Sequence, residues 1–228
     1  VTGAQAPEMP VLIVDRRPDA ISFYISLPAK DLEPVLGTSA EALLGDDGTV
    51  DINRLYEGTY DLADRIFAPV ETEVGGDPVT FDAISMMVHD PDVLPGFKTP
   101  WDGEISIAIC TSPETVDTMG LETLQAYLGF YAWKVNGLAP LSLTFPASGN
   151  GQVGRGIQVR EFWNMQHTGT RVETLSEGGV LVLEPGQGSS LGAATMWLLA
   201  FGCSGIGALL LLLYLRDRRD SHAAADRS

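Results

Sequence analysis

From Pro185 to Leu215 the chain carries no charged residue, and its apolar part, Leu191 to Leu215, runs for 25 residues. As a helix rising ~1.5 Å per residue, that stretch reaches about 37 Å, enough to cross a hydrocarbon core of about 30 Å. Lipid offers no partner to backbone N–H and C=O groups, and a single helix pairs them all within itself. The competing reading is a helix buried in a globular core. The length of the run, and the Arg216, Arg218 and Arg219 that follow it directly, favour a membrane span.

The flanks set the orientation. Arg216, Arg218, Arg219 and Arg227 follow the run, whereas the 15 residues before Leu191 hold neither Lys nor Arg. The positive-inside rule puts the tail in the cytoplasm and the bulk of the chain on the far side. The opening Val1-Thr-Gly-Ala-Gln-Ala-Pro7 lacks an initiator Met. It is expected to be the mature end left by a removed signal peptide, a truncated chain being the alternative. The acidic, His-poor composition suits a bacterial periplasm, so the expected location is a bacterial inner membrane. The division is then a lead-in (1–9), an exported domain (10–184), a linker (185–190), a transmembrane helix (191–215) and a cytoplasmic tail (216–228).

Composition narrows the function. The net charge of −16 argues against nucleic acid, which demands an electropositive face. The two cysteines, Cys110 and Cys203, fall on opposite sides of the expected topology and cannot pair. The exported domain must therefore be held by a hydrophobic core, for which its length suffices.

The expected fold is mainly β, with a few short helices: an antiparallel β-sandwich-like domain or open barrel. Pro10–Val14 and Ile21–Leu27 form a hairpin about the turn Arg16-Arg-Pro-Asp19. Short helices are expected at Ala29–Leu36 and Ser39–Leu44. Asp51 caps a longer one that ends before Pro69. Val79–His89 is a strand, and Asp92–Asp102 a loop. Glu104–Cys110 reads as another strand, with Ile105, Ile107 and Ile109 on one face. Ser112-Pro-Glu114 starts a helix. In Leu121–Val135, Leu121, Leu124, Leu128 and Tyr131 have helical spacing while Ala126, Leu128, Phe130 and Ala132 alternate as in a strand; the reading is helix up to about Ala126 and strand after it. Leu141–Phe145, Gly156–Gln166, Thr170–Leu175 and Gly179–Glu184 complete the strands, the last two joined by Ser176-Glu-Gly-Gly179.

Charge is uneven along the chain. Residues 1–125 hold 23 acidic and 6 basic residues, and residues 126–190 hold four of each. The neutral stretch also contains seven aromatic residues. Most serve the core, but an interface is poor in charge and rich in Tyr and Trp. Tyr131, Trp133 and Trp163 are the candidates to face a partner. In the apolar run, Ala200, Ser204 and Ala208 recur every four residues, as do Cys203 and Gly207. Such small faces let a second membrane helix approach closely.

Several patterns resemble catalytic or binding motifs. Gly188-Ser-Ser-Leu-Gly192 has nucleophile-elbow spacing, but the only later histidine, His222, lies across the expected membrane. Gly149-Asn-Gly-Gln-Val-Gly154 has dinucleotide-loop spacing, but an apparent strand follows it where a helix is needed. Around Asp47-Gly-Thr-Val-Asp51, a calcium loop requires acids where Leu43, Gly45 and Arg54 stand. Met86, His89, Cys110, Met165 and His167 are soft or imidazole donors suited to copper if their strands are neighbours. No cofactor is expected. The leading expectation is a non-catalytic accessory or assembly subunit of a larger inner-membrane complex. Its partners would be integral membrane subunits and the bilayer. The alternative is a membrane-tethered copper-handling protein.

Overall fold

The computed structural model describes residues 9–93, 96–111, 119–146, 156–174 and 179–185. Strands β1 (Val11–Arg17) and β2 (Ala20–Pro28) form the expected antiparallel hairpin about a two-residue turn. Both are buried along almost their whole length. Their unbroken apolar runs fit strands covered on two faces. After them come a 3₁₀ turn, Ala29–Asp31, helix α1 (Leu32–Leu36) and a second 3₁₀ turn, Ala40–Leu43, capped by Ser39. Helix α2 (Ile52–Phe67) starts where expected, its first amides taken by the Asp51 carboxylate. It turns Leu55, Leu62, Ile66 and Phe67 inward.

The remaining elements are β3 (Glu71–Val74), β4 (Asp77–Pro78), β5 (Asp82–His89), α3 (Pro100–Ala108), β6 (Gln125–Trp133), β7 (Leu141–Thr144), β8 (Gly156–Trp163), β9 (Gln166–Thr174) and β10 (Val180–Leu183). Among the described residues the fold is mainly β, with two sheets and a few short helices. One sheet runs β5-β6-β2-β1-β8-β9 and the other β10-β7-β3-β4. On one face of the six-stranded sheet, Leu12, Val14, Phe23 and Phe130 join α2 and the four-stranded sheet's Leu141, Leu143, Leu181 and Leu183 in a single core. Phe67 stacks on Phe130, ring centroids 4.1 Å apart. On the opposite face α3 and Phe97 cover Val11, Ile13, Tyr24 and Tyr127.

The expected strand Gly156–Gln166 divides at a turn over Asn164 and Met165, β8 ending at Trp163 and β9 starting at Gln166. Four further expectations are corrected. Glu104–Cys110 is no strand, since most of it belongs to α3. Thr99 and Asp102 form a reciprocal capping box with Pro100 in the first turn. That local start signal outweighs the every-second-residue isoleucines, and Ile109 falls past the helix, 47% exposed. Secondly, residues 119–124 are not helical, and β6 begins at Gln125. Thirdly, the sheet is mixed rather than antiparallel throughout, because β1 pairs with β8 in parallel. Fourthly, β10 follows β9 in sequence but pairs with β7 in the other sheet. The helix start at Ser112, both glycine motifs (149–154 and 188–192) and the apolar run 191–215 lie outside the described residues. Among those described, no helix is long and apolar enough to cross a membrane.

Candidate functional site

The copper donors do not converge. His89 lies on β5 and His167 on β9, the two opposite edges of the six-stranded sheet. Five strand spacings of ~4.8 Å put about 24 Å between those edges. Met86 is buried in the large core, on the side of β5 away from His89. Cys110 is exposed and free, and Met165 sits in the turn between β8 and β9. Among the described residues no three His, Cys, Asp or Glu side chains gather as a metal site.

His89 has a structural task instead. Its Nε2 lies 2.8 Å from the Ser106 carbonyl oxygen, in the last turn of α3, where helical carbonyls lack a partner within the helix. A carbonyl only accepts, so Nε2 carries the hydrogen. Nδ1 lies 2.7 Å from Thr111 Oγ1, whose hydroxyl also reaches the Val88 carbonyl. The single hydroxyl hydrogen thus faces two acceptors when His89 is neutral. Burial holds the imidazole below its ordinary pKa, with the bond to Ser106 pulling upward.

The partner-facing aromatics separate into two groups. Strand alternation puts Tyr131 and Trp133 on the α3 side of β6, with Tyr127. It puts Trp163 on the other side of the sheet, with Ile157 and Val159. Tyr131 and Trp133 meet edge to face, centroids 6.0 Å apart. Tyr131 is half-buried and Trp133 is 60% exposed.

Trp133 belongs to a larger constellation that no local pattern announced. It closes β6 opposite Ala20, next to the β1–β2 turn. Arg16, 2% exposed, ties this end of the domain together. Its Nη1 donates to the carbonyls of Gly137 (3.2 Å) and Ala139 (2.8 Å). Its Nη2 donates to that of Leu183 (2.7 Å), the last residue of β10. Three separate segments therefore meet at one guanidinium: β1, the connection 134–140 and the end of the described chain. At Gly137 a β-carbon would stand 1.9 Å from the Arg17 carbonyl oxygen, so only glycine lets that connection lie so close. The β8–β9 turn joins them, because Asp15 Oδ1 accepts from the Met165 N–H at 2.8 Å and the Asn164 N–H donates to Arg16.

Burial lowers the Arg16 pKa, opposed chiefly by Glu161, whose Oε1 stands 3.8 Å from Nε. Neither of those two atoms has a hydrogen bond. Glu161 Oε2 accepts from Arg171 Nη1, which draws β9 into the same network.

The end gathered by Arg16 exposes Trp133, Leu138 (48%) and Met165 (39%). Its exposed and part-exposed charges are Arg17 and Lys134 against Asp19, Asp77, Asp82 and Glu184, so the end is net negative. Lys134, Asn164 and Met165 all adopt left-handed backbone, at φ 61°, 48° and 66°. They are the non-glycine residues with positive φ among those described. For Lys and Met this conformation costs of order 1–2 kcal/mol each, and such strain collects at functional sites.

A separate groove of about 510 Å³ lies between the end of α2, β3 and residues 78–81. Phe67, Val70 and Phe81 line it together with Asp64, Glu71 and Glu73. None of the sequence candidates borders it. No protein-family model matches this chain, and no curated protein matches it.

Proposed function

We propose that the protein is a non-catalytic, single-pass membrane-anchored accessory or assembly subunit of a larger inner-membrane complex. Its two sheets form a sandwich-like domain on the periplasmic side, and Leu191–Leu215 is the transmembrane helix. The observation that carries this reading is the 25-residue run without charge, closed by Arg216, Arg218 and Arg219. The recurrence of Ala200, Cys203, Ser204, Gly207 and Ala208 supports packing against a partner helix. The exposed Trp133, near the end of the described chain, supports a membrane-proximal contact face.

Purification of the full chain in mild detergent is expected to recover stoichiometric membrane partners. A lone monomer on native gels overturns the subunit reading. Ser204→Leu is expected to weaken the association at least several-fold while leaving the protein in the membrane. Alkaline carbonate that strips the wild type from membranes refutes the anchor itself.

A further inference from the structure

We infer that the groove between the end of α2, β3 and residues 78–81 is a binding site for a small organic cation, an ammonium group carried on an apolar or aromatic body. The subunit reading gives this groove no task, and nothing in the assignment depends on the anchor.

The size and floor of the groove are the first support. Its volume of about 510 Å³ falls within the roughly 300–1,000 Å³ usual for small-molecule sites. Phe67, Val70 and Phe81 give it an apolar floor, each of them 6% exposed. Phe23 backs both rings from the core, its centroid 5.2 Å from that of Phe67 and 4.8 Å from that of Phe81. Phe67 is also held by its stacking on Phe130. One wall is fastened in the same way. The Val79 N–H donates to the Thr72 carbonyl at 3.0 Å, and the Thr72 hydroxyl donates to the Val79 carbonyl. A floor and wall so fixed need little ordering when a ligand enters.

Charge is the second support, and it selects the ligand. Asp64, Glu71 and Glu73 line the groove, and no Lys, Arg or His does. Asp64 is positioned by the Ala83 N–H, which donates to its Oδ1 at 3.3 Å. The stretch from Asp61 to Asp82 carries six acidic residues and one base, Arg65. That base is turned away along α2, its Nε donating to the Asp61 carbonyl. Glu71 and Glu73 stand on one face of β3, and their neighbours across on β7, Thr144 and Ser142, are neutral. Among the described residues none of the three carboxylates has an ion-pair partner. Carboxylates gathered without a counter-charge repel one another, and a cation among them relieves that repulsion. An anion is rejected by the same charges. A metal ion would exchange hydration for an apolar floor, which is costly. An ammonium on an apolar body meets both demands, its body over Phe67, Val70 and Phe81 and its charge toward the carboxylates. The ring quadrupoles of the two phenylalanines add to the attraction.

The test titrates the full chain, in non-ionic detergent, with phenethylammonium by calorimetry against a detergent blank. Phenethyl alcohol and phenylacetate serve as the neutral and anionic counterparts. The ammonium is expected to bind with a Kd of about 1 mM or tighter. It should bind at least about tenfold better than the alcohol, and phenylacetate should not bind. Glu71→Gln and Glu73→Gln, both at exposed positions, are each expected to weaken binding about threefold or more. Glu41→Gln removes an exposed charge outside the groove and should leave it unchanged. Absence of saturable binding, equal affinity for ammonium and alcohol, or groove variants that bind like Glu41→Gln overturns the inference. Binding of the peptide acetyl-Phe-Lys-Phe-amide about tenfold tighter than phenethylammonium overturns the small-ligand assignment and gives the groove to a protein segment. Each of these outcomes leaves the subunit reading and its anchor untouched.

Discussion

Arg16 takes a charge into the interior and satisfies three backbone carbonyls from two distant stretches of chain. Removing it would strand those carbonyls and leave Glu161 facing Arg171 alone. Breaking a buried pair of this kind costs about 3–5 kcal/mol. Arg16→Met is therefore expected to lower the unfolding free energy of the full chain in detergent by about 3–5 kcal/mol, read in urea as a lower midpoint at an unchanged slope. Arg16→Lys keeps the charge but loses the planar fork, so it should fall between. A second residue-scale expectation concerns His89. Burial depresses its folded pKa, whereas in the unfolded chain it protonates near the ordinary value of about 6.5. The unfolded state thus binds the proton first as pH falls. Stability drops below pH ~6.5, and the loss is complete once pH passes the folded value. His89→Gln, which keeps an N–H for Ser106, should flatten stability between pH 7 and 5; an unaltered slope would show that other groups set it.

At the scale of elements, α3 depends on a close seat and a good start. At Gly129, on β6 beneath it, a β-carbon would come within 2.6 Å of Ile107 Cδ1. Gly129→Ala is expected to cost about 1–3 kcal/mol by overpacking, and Thr99→Ala about 1 kcal/mol through the lost cap. Thermal unfolding of the two variants checks both, and neutral effects would mean that α3 contributes little to the domain. These elements also show what was readable in advance. The hairpin and α2 follow from signals within their own residues: an apolar run, a turn, an Asp cap. The identity of α3 was obscured by isoleucines at every second position, although its capping box was equally local. The β8–β9 turn was hidden by Met165, since methionine is no turn former and is held there by Asp15, 150 residues away. Trp133 stood out as an aromatic in a neutral stretch. Its neighbours at the Arg16 end did not, because contacts far apart in sequence assemble that end.

For the molecule as a whole, the parallel pairing of β1 with β8 is the feature no local pattern could reveal. It makes the first strand an internal one, buried on both faces and bonded on both edges. A chain stopped after Phe145 lacks β8, β9 and β10, and it should be cut by protease throughout rather than yield a resistant core. A resistant fragment containing β1 would show that the hairpin, α2 and β6 suffice. The same pairing has a consequence for biosynthesis. The partner of Val11–Arg17 leaves the ribosome roughly 140 residues later, about 7–30 s at ordinary elongation rates. The β2 edge of the nascent hairpin waits roughly 100 residues for β6, and the β1 edge stays open for the whole interval. A holdase that occupies this edge would govern how much of the protein matures.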